Sequence, residues 1–88
     1  MKVKDLKEGM KDVDIEVKID YIPNNTWGVI FVRDETKDIK MILTKKELKK
    51  AKEGMTLKIK KGNVTAHRGQ LQLNPVKKYP IEFVENEK

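Results

Sequence analysis

Few side chains in this sequence are capable of covalent or metal chemistry. The chain has no cysteine, and His67 is the only histidine among its 88 residues. Thiolate zinc sites and cysteine nucleophiles are therefore excluded, and one histidine cannot build a histidine metal site alone. The sequence also lacks a nucleophile–base pair and a phosphate-cradling glycine loop. We therefore expect a protein that binds without catalysis, with no cofactor and no metal.

The adjacent carboxylates Asp34 and Glu35 are the nearest approach to a metal-binding motif. Neighbouring side chains of an extended chain point to opposite sides, so such a pair rarely chelates one ion. Aspartate in a turn commonly accepts hydrogen bonds from nearby backbone N–H groups. We predict that role for Asp34.

Positive charge is concentrated in the middle of the chain. The formal net charge is +6, and the isoelectric point is about 9.5. Residues 37–61 contain ten lysines against three acidic residues. A basic segment on a small domain favours a polyanion as partner. The alternative is a lysine-rich surface whose role is only solvation.

The sequence gives no indication of a membrane or an export signal. No apolar run approaches the roughly 20 residues that a membrane-spanning helix needs. The first five residues, Met-Lys-Val-Lys-Asp, lack the apolar core of a signal peptide. We expect no membrane contact and a cytoplasmic location.

The apolar residues recur with the period of β-strands over most of the chain. Strict alternation over 13–21 predicts a first strand whose inward positions include Tyr21 at its end. The further strands are predicted over 26–33, 39–43, 55–66 with a bulge at Gly62, and 70–73. A short helix is expected after the third strand, because Thr44 and Glu47 form a capping box. Gly54 is expected to end it.

Five short strands with a helix between the third and the fourth predict a mainly β protein, a five-stranded OB-fold Greek-key barrel. The chain is long enough for one small domain. We expect this domain to cover residues 1–81 and an acidic, frayed C-terminal tail to cover 82–88.

Several short motifs follow one another in a characteristic order. A leader covers 5–10, Asp34-Glu35-Thr36 precedes the third strand, Lys52-Glu53-Gly54 precedes the fourth, and Arg68-Gly69-Gln70 opens a segment that ends at Asn74. By these motifs the sequence resembles the OB-folds of archaeal replication protein A and of archaeal single-stranded DNA-binding proteins. The resemblance implies non-catalytic binding of single-stranded DNA in replication and repair.

The sequence departs from that family where the family stacks bases. Thr44 stands where the family usually has a tryptophan, and Asn63 and His67 replace frequent aromatics. If Ile30 and Val32 face the barrel core, Trp27 and Phe31 point outward, so we predict that they supply the stacking. The predicted nucleic-acid-binding residues are Trp27, Phe31, Arg33, Lys40, Ile42, Thr44, Lys58, Lys60, Asn63, His67, Arg68, Gln70 and Gln72.

The same outward apolar stripe has a second interpretation. The segment with Ile81, Phe83 and Val84 could fold back over it, or a second copy or a protein partner could cover it. The protein would then be an interaction or oligomerisation subunit. An RNA-binding OB-fold is a further alternative, because only contacts to the 2′-hydroxyl would separate RNA from DNA.

Overall fold

The chain folds into six strands and one short helix over the residues described by the computed structural model, 1–24 and 26–85. A 3₁₀ turn at Val3–Asp5 precedes the first strand. The elements are β1 (Val13–Tyr21), β2 (Val29–Arg33), β3 (Asp38–Ile42), α1 (Lys45–Lys50), β4 (Thr56–His67), β5 (Gln70–Asn74) and β6 (Glu82–Val84). Within these ranges, no helix has the length and apolar character needed to cross a membrane.

Five of the strands close into a barrel. The antiparallel pairs are β1–β2, β2–β3, β4–β5 and β1–β4, and the parallel pair β3–β5 completes the circuit. The helix α1 lies between β3 and β4 in the chain. This is the OB-fold barrel predicted from the sequence.

The alternating strands place their apolar residues in one core. Four of the predicted inward positions of β1, Val13, Ile15, Val17 and Ile19, are buried. They pack with apolar residues from the other barrel strands, among them Ile30, Met41, Leu57 and Leu73. Burial of large aliphatic side chains contributes about 1.5–3 kcal/mol each, so this core is the main source of stability.

Two predicted boundaries are wrong by a few residues. The second strand begins at Val29 because Gly28 has a φ of +117°, which interrupts the extended chain. Trp27 therefore lies in the preceding loop. The helix ends with Ala51 as its C-cap, so Gly54 belongs to the following turn.

The predicted bulge in β4 lies one position from Gly62. Val13 pairs with Gly62 and Ile15 with Ile59, which leaves one extra residue in β4. Lys61 has a φ of +54° within this stretch. The strand continues through the bulge from Thr56 to His67.

The segment expected to be frayed from residue 82 forms a strand instead. β6 pairs with the first part of β4, where Leu57 faces Phe83. β5 covers only Asn63–His67 of that edge, and β6 extends the sheet along the earlier residues, Thr56–Lys58. Ile81 is buried, and Phe83 packs against the core. This segment therefore does not cover the stripe on β2 and β3, and residues 86–88 lie outside the described part.

Candidate nucleic-acid interface

Two aromatic side chains stack on the outside of the barrel. Ile19 pairs with Val32, but the next matched pair is Tyr21 with Phe31, so β1 contains one extra residue at Asp20. This bulge reverses the alternation and turns Tyr21 outward, which corrects the prediction that it points into the core. The Tyr21 and Phe31 rings lie 6.2 Å apart at 24°. Tyr21 remains 53% exposed.

The aromatic pair of Tyr21 and Phe31 begins a row that crosses the sheet. Phe31 is the cross-strand partner of Lys40, Lys40 of Gln72, and Gln72 of Thr65. Directly paired residues place their side chains on the same side of a sheet. The row therefore changes from aromatic on β1 and β2 to cationic on β3 and polar on β5 and β4.

Two further rows flank the first one. Val29 pairs with Ile42 on the side nearer α1, and Arg33 pairs with Asp38 on the other side. Ile42 is 38% exposed. We call the surface of these three rows, with Tyr21, Val29, Phe31, Arg33, Lys40, Ile42 and Gln72 as its main members, the outer face.

Polar side chains continue the outer face onto β4 and β5. Asn63 is paired with Asn74, and His67 with Gln70. The Gln72 amide Nε2 donates to Asn74 Oδ1 at 2.6 Å. Asn74 Nδ2 donates in turn to Thr65 Oγ1 at 2.9 Å. These bonds orient hydrogen-bonding groups on the surface next to Lys40.

A cleft of about 270 Å³ opens at the start of β3. Its lining includes Phe31 and Lys40 from the outer face and Gly69 and Gln70 from the β4–β5 turn. Arg68 and Gly69 are the two central residues of that turn, with φ values of +52° and +79°. Two successive positive φ values are typical of a type I′ hairpin turn.

Trp27 and Thr44, two predicted binding residues nearer the helix, differ from each other in environment. Trp27 is 92% exposed in the β1–β2 loop. It is two residues before Val29, and the carbonyl of the intervening Gly28 accepts from the Leu43 N–H at 2.8 Å. Thr44 caps α1, where its hydroxyl oxygen accepts from the Glu47 N–H at 3.2 Å.

The structure separates Lys58 and Lys60 from the other predicted residues. Lys58 pairs with Glu16 of β1 and with Glu82 of β6. Lys60 lies farther along the same exposed side of β4. Their surface belongs to the β1–β4 side of the barrel, where acidic neighbours accompany the lysines. The number of lysines in the sequence does not indicate which side of the barrel each one occupies, so this separation could not be predicted from it.

Asp34 organises the turn between β2 and β3, as predicted. Its carboxylate accepts hydrogen bonds from the Val3, Thr36 and Lys37 N–H groups and from the Thr36 hydroxyl, at 2.5–3.2 Å. Burial alone would raise the pKa of Asp34, but these bonds outweigh it and hold the pKa well below its ordinary value. The residue is thus structural. Across 1–24 and 26–85, no group of three or more His, Asp or Glu side chains could hold a metal ion.

Comparisons with known proteins support the fold. No protein-family model matches the sequence, and no curated protein does. The p204 HINb domain is similar, with a TM-score of 0.77 and 13% identity over 96% of this chain and 46% of that chain. The tetrameric p202 HIN2 has a TM-score of 0.78 and 17% identity over 97% and 48%.

A third solved structure is a murine DNA-binding protein bound with double-stranded DNA. It has a TM-score of 0.77 and 15% identity, covering 100% of this chain and 48% of that one. The chain thus spans about half the length of these three neighbours. At such identities the likeness shows the fold alone. It contains nothing specific to the archaeal proteins that the sequence motifs resemble.

Proposed function

We propose that this protein binds single-stranded DNA through the outer face, without catalysis. The observation that carries the proposal is the stacked aromatic pair, in which Tyr21 is exposed and Phe31 half-buried, with Lys40 in the same row. OB-folds bind oligonucleotides on the face of strands two and three. The neighbour bound with DNA supports a nucleic-acid partner in general.

Stacking favours a single strand over a duplex. Bases are available to aromatic rings only when they are unpaired and separated, and each stacked base contributes about 1–3 kcal/mol. Tyr21 and Phe31 offer two adjacent rings, and the exposed indole of Trp27 provides a third near the end of β3. Sequence preference should be weak because every base has a π-face.

The basic and polar groups complete the proposed site. We expect Lys40, in the same row as the aromatic pair, and Arg33, in the next row, to contact phosphates. Gln72 and Gln70 have amides that can bind base edges, and His67 and Arg68 extend the surface at the β4–β5 turn. Asn63 lies at the far end of this polar region. Lys58 and Lys60 are not included, because they lie on the β1–β4 side.

The test is a titration of labelled oligothymidylate followed by fluorescence anisotropy. Tyr21→Ala and Phe31→Ala should each weaken binding by about 5- to 100-fold, since each removes about 1–3 kcal/mol of stacking. Trp27→Ala should have a similar effect. Quenching of Trp27 in the unmodified protein provides an independent readout, because it is the only tryptophan.

The control variant is Lys58→Ala/Lys60→Ala, which alters the β1–β4 surface. It should bind nearly as well as the unmodified protein. A duplex of equal length should compete poorly, and RNA of the same sequence measures any DNA preference. Unchanged affinity in both Tyr21→Ala and Phe31→Ala, with intact circular dichroism, would contradict the proposal.

Self-association is a second candidate function. Trp27 and Ile42 are exposed apolar side chains at one end of the outer face, and Val29 is half-buried between them and the aromatic pair. Such a patch can bind another protein chain. Light scattering over a range of protein concentrations distinguishes the two functions. A Trp27-dependent oligomer that does not bind oligonucleotide would favour self-association.

A further inference from the structure

A second cleft lies beyond the α1 end of the outer face. Its volume is about 420 Å³, which is within the range of ligand pockets, about 300–1,000 Å³. One wall is formed by α1 and the end of β3, and the other by residues 75–80 after β5. We call it the helix cleft. It is separate from the cleft of about 270 Å³ at the start of β3.

The helix cleft combines an apolar lining with cations from two chain segments. Ile42, Val76 and Pro80 contribute apolar surface, and the lining also includes Lys46 and Lys50 from α1 and Lys77 from the other wall. All three lysines are exposed. A surface of this composition matches a ligand with a planar apolar part and a negatively charged part, as a nucleotide has.

The single acidic residue in the lining is already engaged. Glu47 Oε1 accepts a hydrogen bond from the Thr44 N–H at 2.9 Å, as part of the capping box. Its carboxylate is therefore held at the start of the helix rather than between the lysines. The net charge of the lining remains positive.

The segment that forms the second wall is held in place by its own contacts. The Tyr79 N–H donates to the Val76 carbonyl at 2.9 Å. Lys61 Nζ lies 5.4 Å from the centre of the Tyr79 ring, a cation–π distance. Ile81, directly after the segment, is buried in the core. A wall that is ordered before binding loses little entropy on binding.

The helix cleft is continuous with the outer face through Ile42. This side chain pairs with Val29 in the outer face and also lines the cleft. A strand lying on the aromatic pair and running towards α1 would pass Ile42 and enter the cleft.

We infer that the helix cleft is a phosphate-contacting extension of the nucleic-acid site, in which Lys46, Lys50 and Lys77 hold further nucleotides of the strand bound on the outer face. The inference rests on the proposed function. If the inference is correct, the bound strand follows a path between the β4–β5 turn and α1. The binding site is then longer than the outer face alone.

The experiment measures affinity against oligonucleotide length. Oligothymidylates of about 4 to 16 nucleotides cover the site sizes of OB-folds. The variant Lys46→Ala/Lys77→Ala should bind the shortest oligomer as the unmodified protein does. It should bind the longest about tenfold more weakly at about 0.1 M salt, with a salt dependence shallower by about 1.4 in log–log slope for two lost phosphate contacts.

Lys58→Ala/Lys60→Ala is the matched control, because it removes the same charge from the β1–β4 side. It should leave the length dependence unchanged. Circular dichroism and the melting temperature check that α1 remains folded in the cleft variant. If both double variants behave alike on the longest oligomer, the inference is overturned.

The experiment separates failure of the cleft from failure of the proposed function. If Phe31→Ala weakens binding as expected while Lys46→Ala/Lys77→Ala binds every length normally, the outer face is the whole site and only the inference falls. If the unmodified protein binds no oligomer of any length, both fall.

Discussion

A single inserted residue decides which side of the sheet Tyr21 occupies. By alternation alone it shares the inward side with Ile19, yet the bulge in β1 places it opposite Phe31. Without this change the outer face would have one aromatic ring on its strands rather than two. The binding proposal therefore depends on a local irregularity of the backbone.

Gly28 is the second residue whose local conformation affects the face. Its φ is +117°, and a Cβ at this position would lie 2.3 Å from the Leu43 carbonyl oxygen. Only glycine permits the close approach of the β1–β2 loop to the end of β3. Gly28 thereby determines where the β1–β2 loop, which carries Trp27, joins β2.

We predict that Gly28→Ala destabilises the protein by about 2–3 kcal/mol, because backbone strain and a steric clash add. Urea denaturation measures the change in the free energy of unfolding. Gly9→Ala is the control: Gly9 also has a positive φ, +90°, but a Cβ there would meet nothing within 4 Å. It should cost only the conformational strain, about 1 kcal/mol. Equal losses in the free energy of unfolding for the two variants would show that the structure relieves the clash at Gly28, and would contradict the prediction.

At the scale of elements, the N-terminal 3₁₀ turn and the Asp-Glu-Thr motif form one structural unit. The N-terminal 3₁₀ turn is attached to the β2–β3 turn by the hydrogen bond from the Val3 N–H to Asp34 Oδ2, 2.8 Å long. The Lys4 N–H also donates to Thr36 Oγ1 at 3.2 Å. Val3 and Leu6 are thereby held in the core. The 3₁₀ turn and the Asp-Glu-Thr motif thus depend on each other.

We predict that Asp34→Asn lowers stability at neutral pH by about 1–2 kcal/mol, because it removes a charged acceptor from a partly exposed site. The pKa of Asp34 is lowered in the folded state. Its contribution is therefore fully present above the unfolded pKa, about 3.9, and is lost as the pH falls below that value towards the folded pKa.

Urea denaturation between neutral and strongly acidic pH tests this prediction. The unmodified protein should lose stability more steeply below about pH 4 than Asp34→Asn does. Asp38→Asn removes a nearby carboxylate of β3 and should retain the steep profile. Parallel profiles for the unmodified protein and Asp34→Asn would refute the assignment.

At the scale of the whole molecule, the positive charge is unevenly distributed. Arg33 and Lys40 lie on the outer face, and the lysines of the helix cleft lie beside it. On the β1–β4 side, Lys58 instead faces Glu16 and Glu82. Arg33 is likewise opposite an acidic residue, Asp38. We therefore expect Lys40 and the lysines of the helix cleft to be the main groups that attract a polyanion to the outer-face side of the barrel.

We predict a salt dependence that assigns phosphate contacts to residues. With a short oligomer, Lys40→Ala should make the plot of log affinity against log salt concentration shallower by about 0.7, as expected for one lost phosphate contact to a single strand. Lys58→Ala should leave the slope unchanged. Anisotropy titrations at several salt concentrations measure both. Equal changes in the two slopes would mean that the lysines attract DNA regardless of the side of the barrel on which they lie.

Features that depend on local patterns could be predicted from the sequence. The two-residue period of β1 predicted its buried residues, the spacing of Thr44 and Glu47 predicted the start of α1, and Asp34 was predicted as a turn acceptor. Each of these follows from the geometry of a few consecutive residues. Together with the order of the strands, they were sufficient for the OB-fold.

Contacts between distant strands complete the set of side chains that share a surface. Pairing between distant strands brings Tyr21 and Phe31 together, separates Lys58 from Lys40, and gives residues 82–84 a partner in β4. The alternation of a strand says nothing about a bulge or a pairing edge, because both depend on hydrogen bonds with another part of the chain. For that reason the sequence pattern predicted Phe31, Arg33, Lys40, Ile42 and Gln72 as members of the outer face but not Tyr21.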